Sequence, residues 1–149
     1  MGMNRRQLLS GGAALSGAMM FGIPSVLGQA KPRVVVIGGG AGGATAAKYI
    51  AKDSAGAIAV TLIEPNEKYQ TCFHSNLYLG GYRDYASIVH DYAALAKNHG
   101  IDVKRDRATA IDRDKKEVVL ASGVRLLYDR VVVSPGIDLK YDSVPGWSQ

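Results

Sequence analysis

The chain has 149 residues, 47% of them hydrophobic and 21% charged, a balance that excludes a disordered polymer and suits one globular domain. Its formal charge of +5 includes Arg5 and Arg6 in an opening stretch without a single acid, and beyond it basic residues are interleaved with acids. So mild a field gives no argument for nucleic acid, and no internal repeat is present.

Residues 1–30 read as a targeting segment rather than as part of the fold. Asn4-Arg5-Arg6-Gln7-Leu8-Leu9 supplies a twin-arginine n-region, and Ser10 to Ile23 a weakly apolar h-region rich in Gly and Ala. Gly28-Gln29-Ala30 is a small-x-small cleavage site. The stretch is too short and glycine-rich for a good membrane span, which needs about 20 apolar residues, so an integral membrane protein is not expected. It resembles the twin-arginine signal, with Asn4 for the usual Ser or Thr and Leu8 for the usual Phe. That resemblance implies periplasmic export of a protein already folded around its cofactor, with a mature chain starting at Lys31.

The mature sequence opens with Arg33-Val-Val-Val-Ile37, a continuous β-branched run of the kind buried on both faces of a parallel sheet. The glycine-rich turn Gly38 to Gly43 follows, and the alanine-rich Ala44 to Lys52 predicts a helix stopped by Asp53-Ser-Ala-Gly56. Ala57 to Ile63 predicts the next strand, closed by Glu64-Pro65 because proline cannot donate to a central ladder. After a long loop containing Cys72, Ser87 to Asn98 predicts a second helix with Ile88, Tyr92 and Leu95 on one side and Gly100 past its end. Ile101 to Lys104 is the expected third parallel strand. Three short strands, near Ala108 to Ile111, Glu117 to Leu120 and Arg125 to Leu127, suggest an antiparallel meander used as a crossover. Arg130 to Gly136 is a second β-branched run ending in a Pro-Gly turn, hence another central strand. The expected fold is α/β: a doubly wound, Rossmann-like parallel sheet with a β-meander crossover.

Gly38-x-Gly40-x-x-Gly43 fits a dinucleotide fingerprint. The first glycine permits the tight turn, the second lets backbone approach a pyrophosphate, and the third lets helix and sheet pack closely. The motif follows a strand, opens a helix with free N–H groups, and is answered 21 residues beyond Gly43 by Glu64, placed to accept hydrogen bonds from a ribose. An acid there disfavours a 2′-phosphate and so argues against NADP. The candidate cofactor-binding residues are Gly38, Gly39, Gly40, Ala41, Gly42 and Gly43 in the turn, Glu64 and Pro65 after the second strand, Cys72 in the loop, Ala108 at the head of the meander, and Pro135 and Gly136 after the last strand.

Cys72 is the one cysteine of the chain. From the residues alone it can be a small buried hydrophobe, a redox thiol or a covalent attachment point. His74, two positions on, is more simply a surface or hydrogen-bonded loop histidine, and His90 and His99 are expected in solvent. There is no metal-ligand cluster and no C-x-x-C-H haem attachment, so any haem belongs to a partner.

The order of pieces, from the fingerprint through the meander to Val131-Val-Val-Ser-Pro-Gly136, resembles the FAD domain of two-dinucleotide-binding flavoprotein reductases, with Ser134-Pro-Gly136 where many members have Ala-Thr-Gly. A narrower resemblance rests on Ala41 to Ile50, Val60 to Asn66, Tyr69-Gln-Thr-Cys72 with Ser75-Asn76 and Gly80-Gly81, and Tyr128 to Ile137: these resemble the flavoprotein subunit of flavocytochrome c sulfide dehydrogenase. The resemblance implies FAD joined through a thioether to Cys72, sulfide as substrate, and a c-type cytochrome subunit as electron acceptor. It also implies a redox-active cysteine pair in sequence beyond Gln149, so residues 31–149 are expected to be the N-terminal part of the FAD-binding domain and no catalytic residue is named. Two other readings stay open: a NADH oxidase or disulfide reductase with Cys72 as redox thiol, and a non-catalytic flavin-binding module.

Overall fold

The computed structural model describes residues 30–138, 140–141 and 143–148, so the targeting segment lies outside it apart from Ala30. In chain order the elements are β1 (Arg33–Ile37), α1 (Ala41–Asp53), β2 (Ala59–Ile63), β3 (Lys68–Gln70), α2 (Ser75–Leu79), a 3-10 turn (Tyr85–Ile88), β4 (Val89–Asp91), α3 (Ala93–His99), β5 (Asp102–Lys104), β6 (Ala108–Asp112), β7 (Glu117–Leu120), β8 (Arg125–Leu127) and β9 (Arg130–Val133). The expected α/β fold is present: four parallel strands in the order β5-β2-β1-β9, with β6, β7 and β8 forming a separate antiparallel meander.

The β-branched runs are explained by a sheet covered on both faces. Alternate residues of a strand point to opposite sides. Val34 and Val36, with Val60 and Leu62, pack against Ala47 and Ala51 of α1 and against Tyr92 and Ile101. Val35 and Ile63 point the other way, onto Val118, Leu120 and Tyr128 of the meander region. Val35, Val36, Leu62, Ile63 and Val118 are almost wholly enclosed, each contributing about 1.5–3 kcal/mol of transfer free energy relative to exposure. At the amino ends Arg33 and Asp129 clip β1 to β9. The Arg33 N–H donates to the Asp129 carboxylate at 2.7 Å, and the Asp129 N–H donates to the Arg33 carbonyl at 2.9 Å.

Winding from β1 through β2 to β5 fills one side of the sheet, and the meander then returns the chain to β9 on the other. The reversal falls between β1 and β9. In an open α/β sheet the crevice outside the carboxyl ends of strands at such a point is where a ligand fits.

Two local expectations are revised. Helix α1 starts at Ala41, inside the glycine turn, because Gly42 and Gly43 enter its first turn. Ser87 to Asn98 is not one helix. Val89 to Asp91 instead pairs with Lys68 to Gln70, a strand pair within what the sequence suggested was loop, and the Asp91 carboxylate accepts the Ala93 N–H at 2.9 Å where α3 begins. β-branched Val89 favours the extended backbone that begins there, after the 3-10 turn ends at Ile88, and the Asp91 side chain competes for backbone donors as such residues do at helix starts. Gly100 behaves as expected: it is left-handed at φ +64° and its N–H caps the Ala96 carbonyl at 3.0 Å.

Candidate functional site

The loops that follow β1, β2 and β9 are tied together beyond the strand ends. The Gly38 N–H donates to the Ile63 carbonyl at 2.9 Å, Ser134 N–H to Ile37 at 2.8 Å and Glu64 N–H to Lys104 at 3.0 Å. Over them opens a cleft of about 890 Å³, within the size range of pockets for organic ligands and cofactors. Gly40, Ala41 and Gly42 from the turn, Glu64, Cys72, and Ser134 to Ile137 all line it.

Each glycine of the turn meets a different constraint. Gly38 is left-handed at φ +98°, and a Cβ there would lie 2.0 Å from the Ser134 carbonyl oxygen. A Cβ on Gly43 would lie 1.8 Å from the Gly38 carbonyl, so a side chain is excluded by the turn itself. Gly40 differs: the one atom near a Cβ there is a Tyr69 ring carbon at 3.8 Å, and the space belongs to the cleft. Gly40 is the N-cap of α1, with no side-chain cap hydrogen bond and no acid in the first turn of the helix itself.

Glu64 is the one buried charged residue among the described residues. One carboxylate oxygen accepts the Gly39 N–H at 2.7 Å, and the other accepts the Asn66 backbone N–H and side-chain amide, each at 2.8 Å. The carboxylate is held on the wall of the cleft with lone-pair capacity left for a ligand hydroxyl. On the far side of Gly39, the Tyr92 hydroxyl donates to the Gly39 carbonyl at 3.1 Å. Burial, reinforced by the Glu64 carboxylate, pushes the Tyr92 phenol up to about 12.

Cys72 is exposed in the cleft and belongs to neither core cluster. Its backbone is fixed: its carbonyl accepts the Ser75 N–H at 3.2 Å and the Ser75 hydroxyl at 2.9 Å. His74 is left-handed at φ +64° and exposed outside the cleft lining.

Comparison with known proteins agrees with this geometry. Residues 32–148 match the family described as pyridine nucleotide-disulphide oxidoreductase. The chain belongs to that family. It is 54% identical over 44 residues to the flavoprotein chain of a sulfide dehydrogenase (flavocytochrome c) from Chlorobaculum thiosulfatiphilum, covering 30% of this chain and 90% of that sequence. It is 30% identical over 115 residues to the mitochondrial sulfide:quinone oxidoreductase of Mus musculus, covering 76% of this chain and 25% of the mouse protein. Among solved structures, the sulfide:quinone oxidoreductase of Aquifex aeolicus superposes with a TM-score of 0.65 at 29% identity, over 74% of this chain and 25% of that one. The chain thus spans about a quarter of the length of the mouse and Aquifex proteins.

Membership of this flavin-dependent oxidoreductase family implies FAD. The residues present suit it: an open approach at Gly40, uncapped helix N–H groups beside it, and a buried carboxylate on the same wall. Of the sequence candidates, Gly40, Ala41, Gly42, Glu64, Cys72, Pro135 and Gly136 come together around the cleft. Gly38, Gly39 and Gly43 belong to the turn but not to the cleft lining, and shape it through close approaches that leave no room for a side chain. Pro65 is exposed outside the lining, and Ala108 packs against the meander-side core. Sequence reasoning assigned no site role to Tyr92, Tyr69, Asn66, Lys68, Gln70 or Tyr85. The closeness of Asn66 to Glu64 was a usable signal, whereas Tyr92 lies 53 positions from Gly39 and is indistinguishable in sequence from a packing residue. No cluster of potential metal ligands occurs among the described residues, and none of their helices is long and apolar enough to cross a membrane.

Proposed function

We propose that the chain is the N-terminal, FAD-binding portion of an exported sulfide dehydrogenase flavoprotein, in which FAD tethered through Cys72 carries electrons from sulfide to a c-type cytochrome. The observation that carries this reading is the convergence of the glycine turn, Glu64 and the exposed thiol of Cys72 on one cleft. The 54% identity to a flavocytochrome c flavoprotein chain supports the substrate and the acceptor, and the twin-arginine-like opening supports periplasmic export.

In this reading Gly40 to Gly42 offer backbone N–H groups to the pyrophosphate, with no side chain intervening at Gly40. Glu64 accepts a ribose hydroxyl while Gly39 and Asn66 hold its carboxylate in place. The Ser75 contacts fix the Cys72 backbone, so that its thiol is presented from a defined point on the wall. Cys72 would hold the flavin by exchanging its S–H bond for a thioether, an oxidative attachment that would release two electrons and two protons to an external oxidant such as dioxygen. FAD supplies the transfer of electrons from a two-electron donor to a one-electron acceptor, chemistry that no side chain here provides.

The test is turnover by the full-length protein with its bound flavin. Sulfide is expected to bleach the flavin absorbance, and added oxidised cytochrome c to restore it. Bleaching reversed by a quinone and not by the cytochrome would transfer the acceptor to the quinone class, and absence of bleaching would reject sulfide.

A further inference from the structure

Gly39 occupies a position that the G-x-G-x-x-G fingerprint leaves free, yet the structure gives it no freedom. A Cβ on Gly39 would lie 2.6 Å from the Tyr92 hydroxyl oxygen and 2.7 Å from two of its ring carbons. The same residue is held at both ends, its N–H by Glu64 at 2.7 Å and its carbonyl by the Tyr92 hydroxyl at 3.1 Å, with both side chains buried. We propose that Tyr92 is a positioning residue for the dinucleotide pyrophosphate: with Glu64 it holds the two peptide units that flank the Gly39 Cα and so presets the turn whose next N–H groups receive the phosphates.

Gly39 is immediately followed by Gly40, the N-cap of α1, and Gly40 to Gly42 line the cleft. The Gly39 carbonyl and the Gly40 N–H share one peptide plane, so a rotation of that plane would re-aim the first donor of the site; Tyr92 holds this plane, and Glu64 holds the preceding one through the Gly39 N–H. The clamp is rigid because Tyr92 belongs to the core cluster of Val34, Val36, Ala47 and Leu62, while β4, paired with β3, delivers it to this position. A donor already aimed when the ligand arrives spares the cost of ordering it on binding. The hydroxyl stays protonated, and so remains a donor, throughout the neutral range. The inference rests on the reading of the cleft as a dinucleotide site and adds to it Tyr92, a lining residue that acts on the pyrophosphate donors through Gly39.

The test uses the full-length protein carrying Cys72→Ala, so that flavin exchanges freely, and follows FAD rebinding by flavin fluorescence with ADP and adenosine as competitors. Tyr92→Phe keeps the ring and removes the hydroxyl. It is expected to weaken FAD and ADP by about tenfold while leaving adenosine, which lacks the pyrophosphate, within about twofold. Unchanged ADP binding, or equal weakening of ADP and adenosine, would overturn the positioning role while leaving the dinucleotide reading intact. If the Cys72→Ala protein with Tyr92 in place binds neither FAD nor ADP, the dinucleotide reading itself fails. A second arm is independent of the hydroxyl. Gly39→Ala is expected to abolish FAD binding when Tyr92 is present and to cost little more when added to Tyr92→Leu, and simple additivity of the two substitutions would contradict the clamp.

Discussion

The Glu64 carboxylate accepts the Gly39 N–H at 2.7 Å although 25 positions separate the two residues. One buried acid thereby braces the glycine turn and stands on the wall of the cleft that the turn opens. Structural and ligand-facing roles are combined in a single side chain, so its loss is expected to be felt in both.

Glu64→Ala leaves the Gly39 N–H without its buried acceptor and frees Asn66 from both of its contacts. The expected cost is about 1–3 kcal/mol of folding stability, read from the urea midpoint, together with loss of most bound flavin. A variant with an unchanged midpoint would show that the brace is not formed in solution.

Gly40 and Gly43 separate the ligand's demands from those of the fold. Gly40→Val places its side chain in open cleft space and at an N-cap, where the change from glycine costs about 0.5–1 kcal/mol, so the protein should fold but purify without FAD. Gly43→Ala drives its methyl group onto the Gly38 carbonyl and should lower stability sharply. The two are compared by thermal midpoint and flavin-to-protein ratio. Stoichiometric flavin in Gly40→Val would contradict the placement of the pyrophosphate.

The Tyr92 phenol titrates at about 12 in the fold and near 10 in an unfolded chain. Its contribution is complete below about pH 10. Between the two values the unfolded chain has lost a proton that the folded protein keeps, so stability falls as pH rises through that window. Urea midpoints between about pH 9 and 12 should therefore decline more steeply for the protein with Tyr92 than for Tyr92→Phe. Parallel profiles would show that the phenol is not enclosed as the structure places it.

Export is tested by replacing Arg5 and Arg6 together with Lys. A folded, flavin-loaded precursor is expected to accumulate in the cytoplasm, measured by fractionation and flavin fluorescence. Unchanged delivery of the double variant to the periplasm would remove the twin-arginine route.

The central sheet was legible because its strands are buried on both faces. Val34, Val35 and Val36 must all be apolar when α1 lies on one side and the meander on the other, and a continuous β-branched run records that. The glycine turn was legible for the same kind of reason, since the left-handed Gly38 and the close approach at Gly43 tolerate no side chain. The segment between Lys68 and His99 was not legible. Its strands β3 and β4 are three residues each, too short for an alternating pattern to emerge, and Ser87 to Asn98 carries a helical spacing that pairing with β3 overrides. The spacing of Tyr92 with Ile88 and Leu95 fits one side of a helix, whereas its role depends on a contact with Gly39 that no local pattern encodes. Cys72 could be singled out by its solitude, but its place in the cleft is set by the fold.

The most direct measurement is mass spectrometry of the denatured full-length protein after digestion. A peptide containing Cys72 is expected to carry the mass of FAD or of its flavin portion, and Cys72→Ala is expected to release its flavin into the acid supernatant. An unmodified Cys72 peptide from protein that retains flavin until denaturation would contradict the tether, and would leave Cys72 as a free thiol on the wall of a non-covalent flavin site.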